Sequence, residues 1–154
     1  MTIFDENPLI RVLRGMGEIN LDRFTNRLRL QKISFLAQEM GVNGGFPFSW
    51  YIRGPYSSSL TSTLFMGEEV DAFRESIQLT ESEQNVINNL RNLLGENIDD
   101  SRTLELYASV WYLMSSHPNE DELDRVIAIM NEEKPKYSNN EVAAAFRRIL
   151  EFRR

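Results

Sequence analysis

The chain has 154 residues, 42% hydrophobic and 26% charged, with a formal net charge of −6. That balance is globular rather than disordered, and the acidity excludes a strongly basic polyanion binder. Cysteine is absent and histidine occurs once, which excludes a disulfide framework, a thiolate or histidine-cysteine metal site and a cysteine nucleophile, and fits a reducing, cytoplasmic setting.

Asn7-Pro8 reads as an N-cap with proline at the first helical position, opening a short helix over 8–14 with Leu9, Ile10, Val12 and Leu13 inward and Gly15 and Gly17 as its break. The MTIFDENPLI start lacks the basic region and apolar core of a signal peptide, and no apolar run approaches the roughly 20 residues of a membrane span. Residues 21–40 form a stronger helix. Leu30, Ile33, Ala37 and Met40 recur at helical spacing, Phe24, Leu28, Phe35 and Leu36 widen the apolar face, and Arg27, Arg29, Lys32 and Glu39 are left for the wet side. Gly41 is placed as its C-terminal stop.

Phe46, Phe48, Trp50 and Ile52 then alternate with Pro47, Ser49, Tyr51 and Arg53, the period of a half-buried strand, and Pro47 puts it at an edge. Ile77-Gln78-Leu79 is the best returning strand. Gly54-Pro55-Tyr56 reads as a turn, and Ser57 caps a helix through Leu60 and Leu64. Thr80 and Glu83 match a capping box ahead of Val86, Ile87, Leu90, Leu93 and Leu94. Ser101 opens the most apolar helix, with Leu104, Leu106, Ala108, Val110, Trp111, Leu113 and Met114 inside. A further helix spans about 120–130, and Ser138 or Asn139 caps the last, with Val142, Ala145, Phe146, Ile149 and Leu150 inward. The expectation is one mainly-α domain over 1–154, of about seven helices with one short β-ribbon. Helix, helix, strand and a return at 77–79 suit a winged-helix-like front half.

Charge is uneven along this pattern. Residues 11–53 carry seven Arg or Lys against Glu18, Asp22 and Glu39, so a basic front third sits on an acidic body. Two groupings are candidate anion or nucleic-acid sites. In Arg53-Gly54-Pro55-Tyr56-Ser57, a turn feeding a helix N-terminus aims free N–H groups at an anion, with Arg53 for a bidentate contact; structurally, the same residues shape a turn and cap a helix. Arg23, Arg27, Arg29 and Lys32 with Tyr51 and Arg53 place cations beside aromatics, suited to phosphates and bases; the alternative is a solvated face, or Lys32 held by an acid inside the fold. Gln31 and Gln38, seven apart on one helix face, are placed to hydrogen-bond the strand or the turn. No catalytic constellation, metal site, cofactor motif or phosphate loop is present in the pattern. His117 beside Pro118 reads as a helix-end or surface residue, residues 119–122 as a negative first turn, and Tyr107, Trp111, Tyr112 and Met114 as core.

Arg29-Leu30-Gln31-Lys32-Ile33-Ser34-Phe35-Leu36-Ala37-Gln38, followed by Phe48-Ser49-Trp50-Tyr51-Ile52-Arg53-Gly54-Pro55-Tyr56-Ser57, resembles the helix and aromatic strand of YwgA-like proteins. Leu104-Glu105-Leu106 and Lys134-Pro135-Lys136-Tyr137-Ser138 are similar too. A more distant likeness is to the Panacea domain of SocA-like antitoxins, which shares a Leu-Gln-Lys helix and a Gly-Pro turn and whose members target a partner protein. Two functions follow as expectations. The first is a non-enzymatic nucleic-acid-binding or regulatory module using Arg23, Arg27, Arg29, Lys32, Arg53, Gly54, Tyr56 and Ser57. The second is an antitoxin-like or complex-forming protein-interaction module that takes its partner on the edge strand. An enzyme acting on a phosphorylated or carboxylated ligand through Arg53 ranks third.

Overall fold

The computed structural model of the chain describes residues 2–116 and 122–153, so the readings placed on His117, Pro118 and residues 119–121 lie outside it. The described residues form α1 (Ile3–Glu6), α2 (Pro8–Met16), α3 (Phe24–Glu39), a ribbon of β1 (Ser49–Tyr51) and β2 (Gly54–Tyr56), then α4 (Ser58–Glu69), α5 (Glu81–Leu94), α6 (Ser101–Ser116), α7 (Glu122–Glu133) and α8 (Asn139–Arg153). The protein is mainly helical with a minor β component.

Local chemistry starts most helices where the pattern places them. Asn7 Oδ1 accepts from the N–H groups of Leu9 and Ile10 at 2.9 and 3.2 Å, ahead of Pro8. Thr80 and Glu83 exchange both bonds of their capping box at 3.1 and 2.9 Å. Ser57 caps α4 through the Leu60 N–H at 3.3 Å, and Ser138 caps α8 through the Glu141 N–H at 3.1 Å. α6 is central: all seven of its expected inward residues are buried, and it packs on α3, α7, α8 and β2. α3 is buried on every side over residues 30–37, including Gln31, Lys32 and Ser34.

Several expectations are corrected. Lys32, assigned to the wet side of α3, is 3% exposed, while Phe24, assigned to the apolar face, is 53% exposed. α1 was not anticipated. The helix read as ending before Gly15 runs through it to Met16, because the missing side chain admits Leu79; a Cβ there would stand 2.5 Å from Leu79 Cδ1. The returning strand at 77–79 does not form. Its alternation is real, with Ile77 and Leu79 half-buried, but arginines of α2 answer its backbone. Arg11 donates to the Gln78 carbonyl and Arg14 to the Glu75 carbonyl, so this segment of backbone takes its partners from side chains instead of a strand. The winged-helix-like front that rested on this return is therefore absent among the described residues.

The ribbon is instead a local antiparallel hairpin in the register Ser49 to Tyr56, Trp50 to Pro55 and Tyr51 to Gly54. Its turn is Ile52-Arg53; Gly54-Pro55-Tyr56, read as the turn, is the second strand. The alternation holds through Trp50 and fails at Ile52, which stands 92% exposed at the tip. Gly54 has φ +94°, and a Cβ there would lie 2.8 Å from the buried Ser109 Oγ and 3.3 Å from Lys32 Cε. Gly54→Ala is accordingly expected to cost about 2–4 kcal/mol, from left-handed backbone strain plus overpacking. A lowered urea midpoint with an unchanged slope is the readout.

Candidate functional site

The stretch from Gly44 to Ser57 has few backbone partners of its own, and side chains supply them. Gln38 accepts from the Phe46 N–H at 3.0 Å and donates to the Phe46 carbonyl at 2.9 Å. Gln31 repeats this on Ser57, at 2.8 and 2.9 Å, and its amide also reaches Thr61 Oγ1 at 2.8 Å. Lys32 Nζ donates to the Pro55 carbonyl at 2.8 Å. From other elements, Asn7 Nδ2 donates to the Gly44 carbonyl at 2.8 Å, and Lys134 Nζ donates to that of Ile52. The Leu-Gln-Lys helix and the Gly-Pro-Tyr-Ser segment are thus each other's hydrogen-bond partners. The two glutamines play the structural role their seven-residue spacing suggested.

This clasp fixes what the turn offers a ligand. The Ser57 N–H and hydroxyl are engaged inside the fold, Gly54 is buried, and the Tyr56 hydroxyl shares a hydrogen bond with Thr61 Oγ1 at 2.9 Å. Gly54, Tyr56 and Ser57 hold the ribbon in place, and the cations beside them are what remains to face a ligand.

The chain has three lysines, Lys32, Lys134 and Lys136; every other basic residue apart from His117 is arginine. All three meet at one place. Glu105 of α6, itself buried, accepts from Lys134 through Oε2 and from Lys136 through Oε1, both at 2.9 Å. Burial works to raise the Glu105 carboxyl, but the hydrogen bonds from Lys134 and Lys136 outweigh it and hold the group below its ordinary 4.5. Lys32 lies beside this pair without joining it: among the described residues, no carboxylate lies within ion-pair distance of its ammonium. Burial brings Lys32 down to about 8, helped by Lys134 and Arg53 and opposed by Glu105.

A cavity of about 240 Å³ opens at this cluster. Arg29, Lys32, Arg53, Arg102 and Lys136 face it together with Glu105, and Leu28 and Leu104 form its apolar wall. Ser101 and Arg102, the first two residues of the 16-residue α6, stand at its edge, so the positive end of that helix adds to the field. Arg102 is oriented by Glu141 and by the Lys136 carbonyl, at 2.5 and 2.9 Å, and lies 4.6 Å from the Tyr137 ring centroid. Arg29 is partly neutralised by Asp99, 3.4 Å from its Nε.

Outside the cavity the front cations gather around one ring. The guanidinium carbons of Arg27 and Arg53 lie 5.8 and 5.3 Å from the Phe24 centroid, and exposed Arg23 is the preceding residue. Arg27 is anchored by the Leu21 carbonyl at 2.6 Å. No side chain caps α3 and no acid lies in its first turn, so its positive end carries further positive charge. That arrangement is unfavourable for the isolated helix and favourable for an arriving anion.

Of the candidate residues, the structure brings Arg27 and Arg53 together on the Phe24 ring, with exposed Arg23 the residue before it, and Arg29, Lys32 and Arg53 into the adjoining cavity. Arg53 belongs to both. Phe24, Arg102, Glu105, Lys134 and Lys136 were not among the candidates. The visible signal was the confinement of lysine to Lys32 and the Lys134-Pro135-Lys136 connector. No family model, no curated protein and no solved structure matches the chain.

Proposed function

We propose that the protein is a non-enzymatic module that binds single-stranded nucleic acid across the N-terminus of α3, and that regulates by occupying its strand. The observation carrying this reading is Phe24: a large aromatic ring left 53% exposed, flanked by two guanidinium groups and preceded by a third. A base stacks on an exposed ring whatever its identity, and adjacent arginines neutralise the phosphates on either side. Two cations beside one ring, with exposed Arg23 next to it in the chain, suit a few nucleotides of single strand. They fall short of the basic stripe that a duplex requires, and the rest of the molecule is acidic.

Fluorescence anisotropy of a labelled deoxythymidine oligomer, titrated at several salt concentrations, tests the reading. Binding is expected to weaken with salt at a log–log slope of about −2, as for two or three phosphates on a single strand. Phe24→Ala is expected to weaken it about tenfold without loss of stability, since the ring is largely exposed. Binding that ignores ionic strength, or that is indifferent to Phe24, would sink the proposal.

A second reading, a protein-interaction module, draws on Ile52 and Tyr51, both exposed at the ribbon tip. It predicts that Ile52→Asp frees the protein from a stoichiometric companion while leaving oligonucleotide affinity unchanged.

A further inference from the structure

We propose that the 240 Å³ cavity between the ribbon turn and the N-terminus of α6 is a site for a terminal phosphate monoester, held by Lys32, Arg53, Arg102 and Lys136. The inference rests on the single-strand reading only for the origin of the monoester, as a strand end; the site itself stands on its own geometry. Among the described residues five cationic side chains and one carboxylate face the space; that carboxylate is occupied on both oxygens by Lys134 and Lys136, and with Arg102 paired to Glu141 and Arg29 to Asp99, Lys32 and Arg53 are the lining cations without an ion pair. The buried Lys32 ammonium has three N–H groups and, among the described residues, one protein acceptor, the Pro55 carbonyl. A buried ammonium left without a carboxylate is costly, and an arriving anion supplies the missing charge. Arg53 offers a planar donor pair that matches phosphate oxygens, and Arg102, whose terminal nitrogens are engaged by Glu141 and the Lys136 carbonyl, contributes its remaining N–H groups and its charge. The volume lies near the lower limit of small-molecule pockets and fits a compact charged head rather than a base with its sugar. Arg53, stacked on Phe24 outside and facing the cavity inside, places a strand end where the stacking surface leads into the site.

The charged groups around Lys32 set a pH window. Arg53 from the ribbon turn and Lys134 after α7 oppose its charge, and Glu105 of α6 favours it. A monoester gains its second negative charge near pH 6, by the ordinary phosphate ionisation. The preference for phosphate is therefore expected to rise through about pH 6 and to fall above about 8, where Lys32 loses its proton.

The test compares deoxythymidine octamers bearing a 5′-phosphate or a 5′-hydroxyl, and thymidine 5′-monophosphate with thymidine, by titration calorimetry. The 5′-phosphate is expected to tighten binding about tenfold. Lys32→Met and Arg102→Gln are each expected to erase most of that advantage while leaving the affinity of the hydroxyl octamer in place. Arg102→Gln is the safeguard if loss of Lys32 unfastens the Pro55 carbonyl and unfolds the ribbon. An advantage seen in the mononucleotide as well as the octamer supports the site with a free nucleotide as its source; one confined to the octamer supports it with a strand end. Phosphate and hydroxyl forms that bind alike, or an advantage that survives both substitutions, overturn the proposal. Octamers bound without a 5′ preference would remove this site and leave the stacking surface standing. Monophosphate bound while octamers are ignored would do the reverse.

Discussion

Glu105→Gln is expected to destabilise the protein by about 3–5 kcal/mol, the usual result of leaving one partner of a buried ion pair uncompensated. The substitution keeps the shape of the side chain but removes its charge and turns one of its two acceptor oxygens into an amide donor. Lys134, buried with it, and Lys136 then share a single amide oxygen, Lys134 keeps the Ile52 carbonyl as its other acceptor, and Lys32 loses the negative charge that favours its own. A double variant, Glu105→Leu with Lys134→Met, is expected to recover much of the loss, because the cost lies in the unpaired charge and not in the absence of a bridge. The pH dependence gives an independent check. The folded-state pKa of Glu105 lies below its ordinary 4.5, so its contribution is complete above that value and fades as pH falls through the folded one. Urea midpoints of the wild type should drop more steeply below pH about 4.5 than those of Glu105→Gln, whose amide does not titrate. Parallel profiles for the two proteins would show that Glu105 is not carrying the charge of the lysine cluster.

How far such features could be read in advance depended on how local their causes are. α5 was legible because its capping box and its apolar period both lie within one helix, and α6 because apolar and aromatic residues fill Leu104 to Met114 apart from Glu105 and Ser109. The segment at 77–79 shows the limit of periodicity: alternation tells that one face is buried, not whether its neighbour is a strand or, as here, the arginines of α2. Gly54-Pro55 carries the signature of a turn, yet φ +94° at Gly54 lets it start a strand against Ser109. Lys32 reads as a wet residue because lysine usually is. Its burial depends on a carbonyl 23 residues away, at Pro55, and on a cluster assembled from α3, α6 and the Lys134–Lys136 connector. The cations of the front third were legible as a group. That Phe24 stands out in solvent among them was not, because an aromatic at helical spacing from Leu28 and Phe35 points to the core in any single-helix pattern.

Gln31→Ala carries the other large expected effect, about 3–5 kcal/mol, and it probes whether α3 holds the ribbon by side-chain bonds to backbone. The truncation leaves the Ser57 N–H and carbonyl without their partner at a buried position and takes from Thr61 Oγ1 a donor at 2.8 Å. Each orphaned group costs about 1–3 kcal/mol, and the space once filled by the amide adds a cavity. Gln38→Ala removes an equivalent pair of bonds on Phe46, but Gln38 is only half-buried and water can replace it there, so about 1–2 kcal/mol is expected. Gln31→Glu separates the two halves of the clasp. The new carboxylate still accepts from the Ser57 N–H, but its second oxygen faces the Ser57 carbonyl at the former 2.9 Å donor contact. Protonation turns that repulsion back into a hydrogen bond. The folded-state pKa of the introduced group therefore lies above its unfolded value, and the stability of Gln31→Glu should rise as pH falls, opposite to the trend set by Glu105. Hydrogen exchange locates the effect: in Gln31→Ala the Ser57 amide should exchange through a local opening while the amides of α6 retain protection relative to the new global stability. Uniform loss of protection, with Ser57 no faster than the rest, would mean that the ribbon and the helical core unfold as one unit and that the clasp is not a separable fastening.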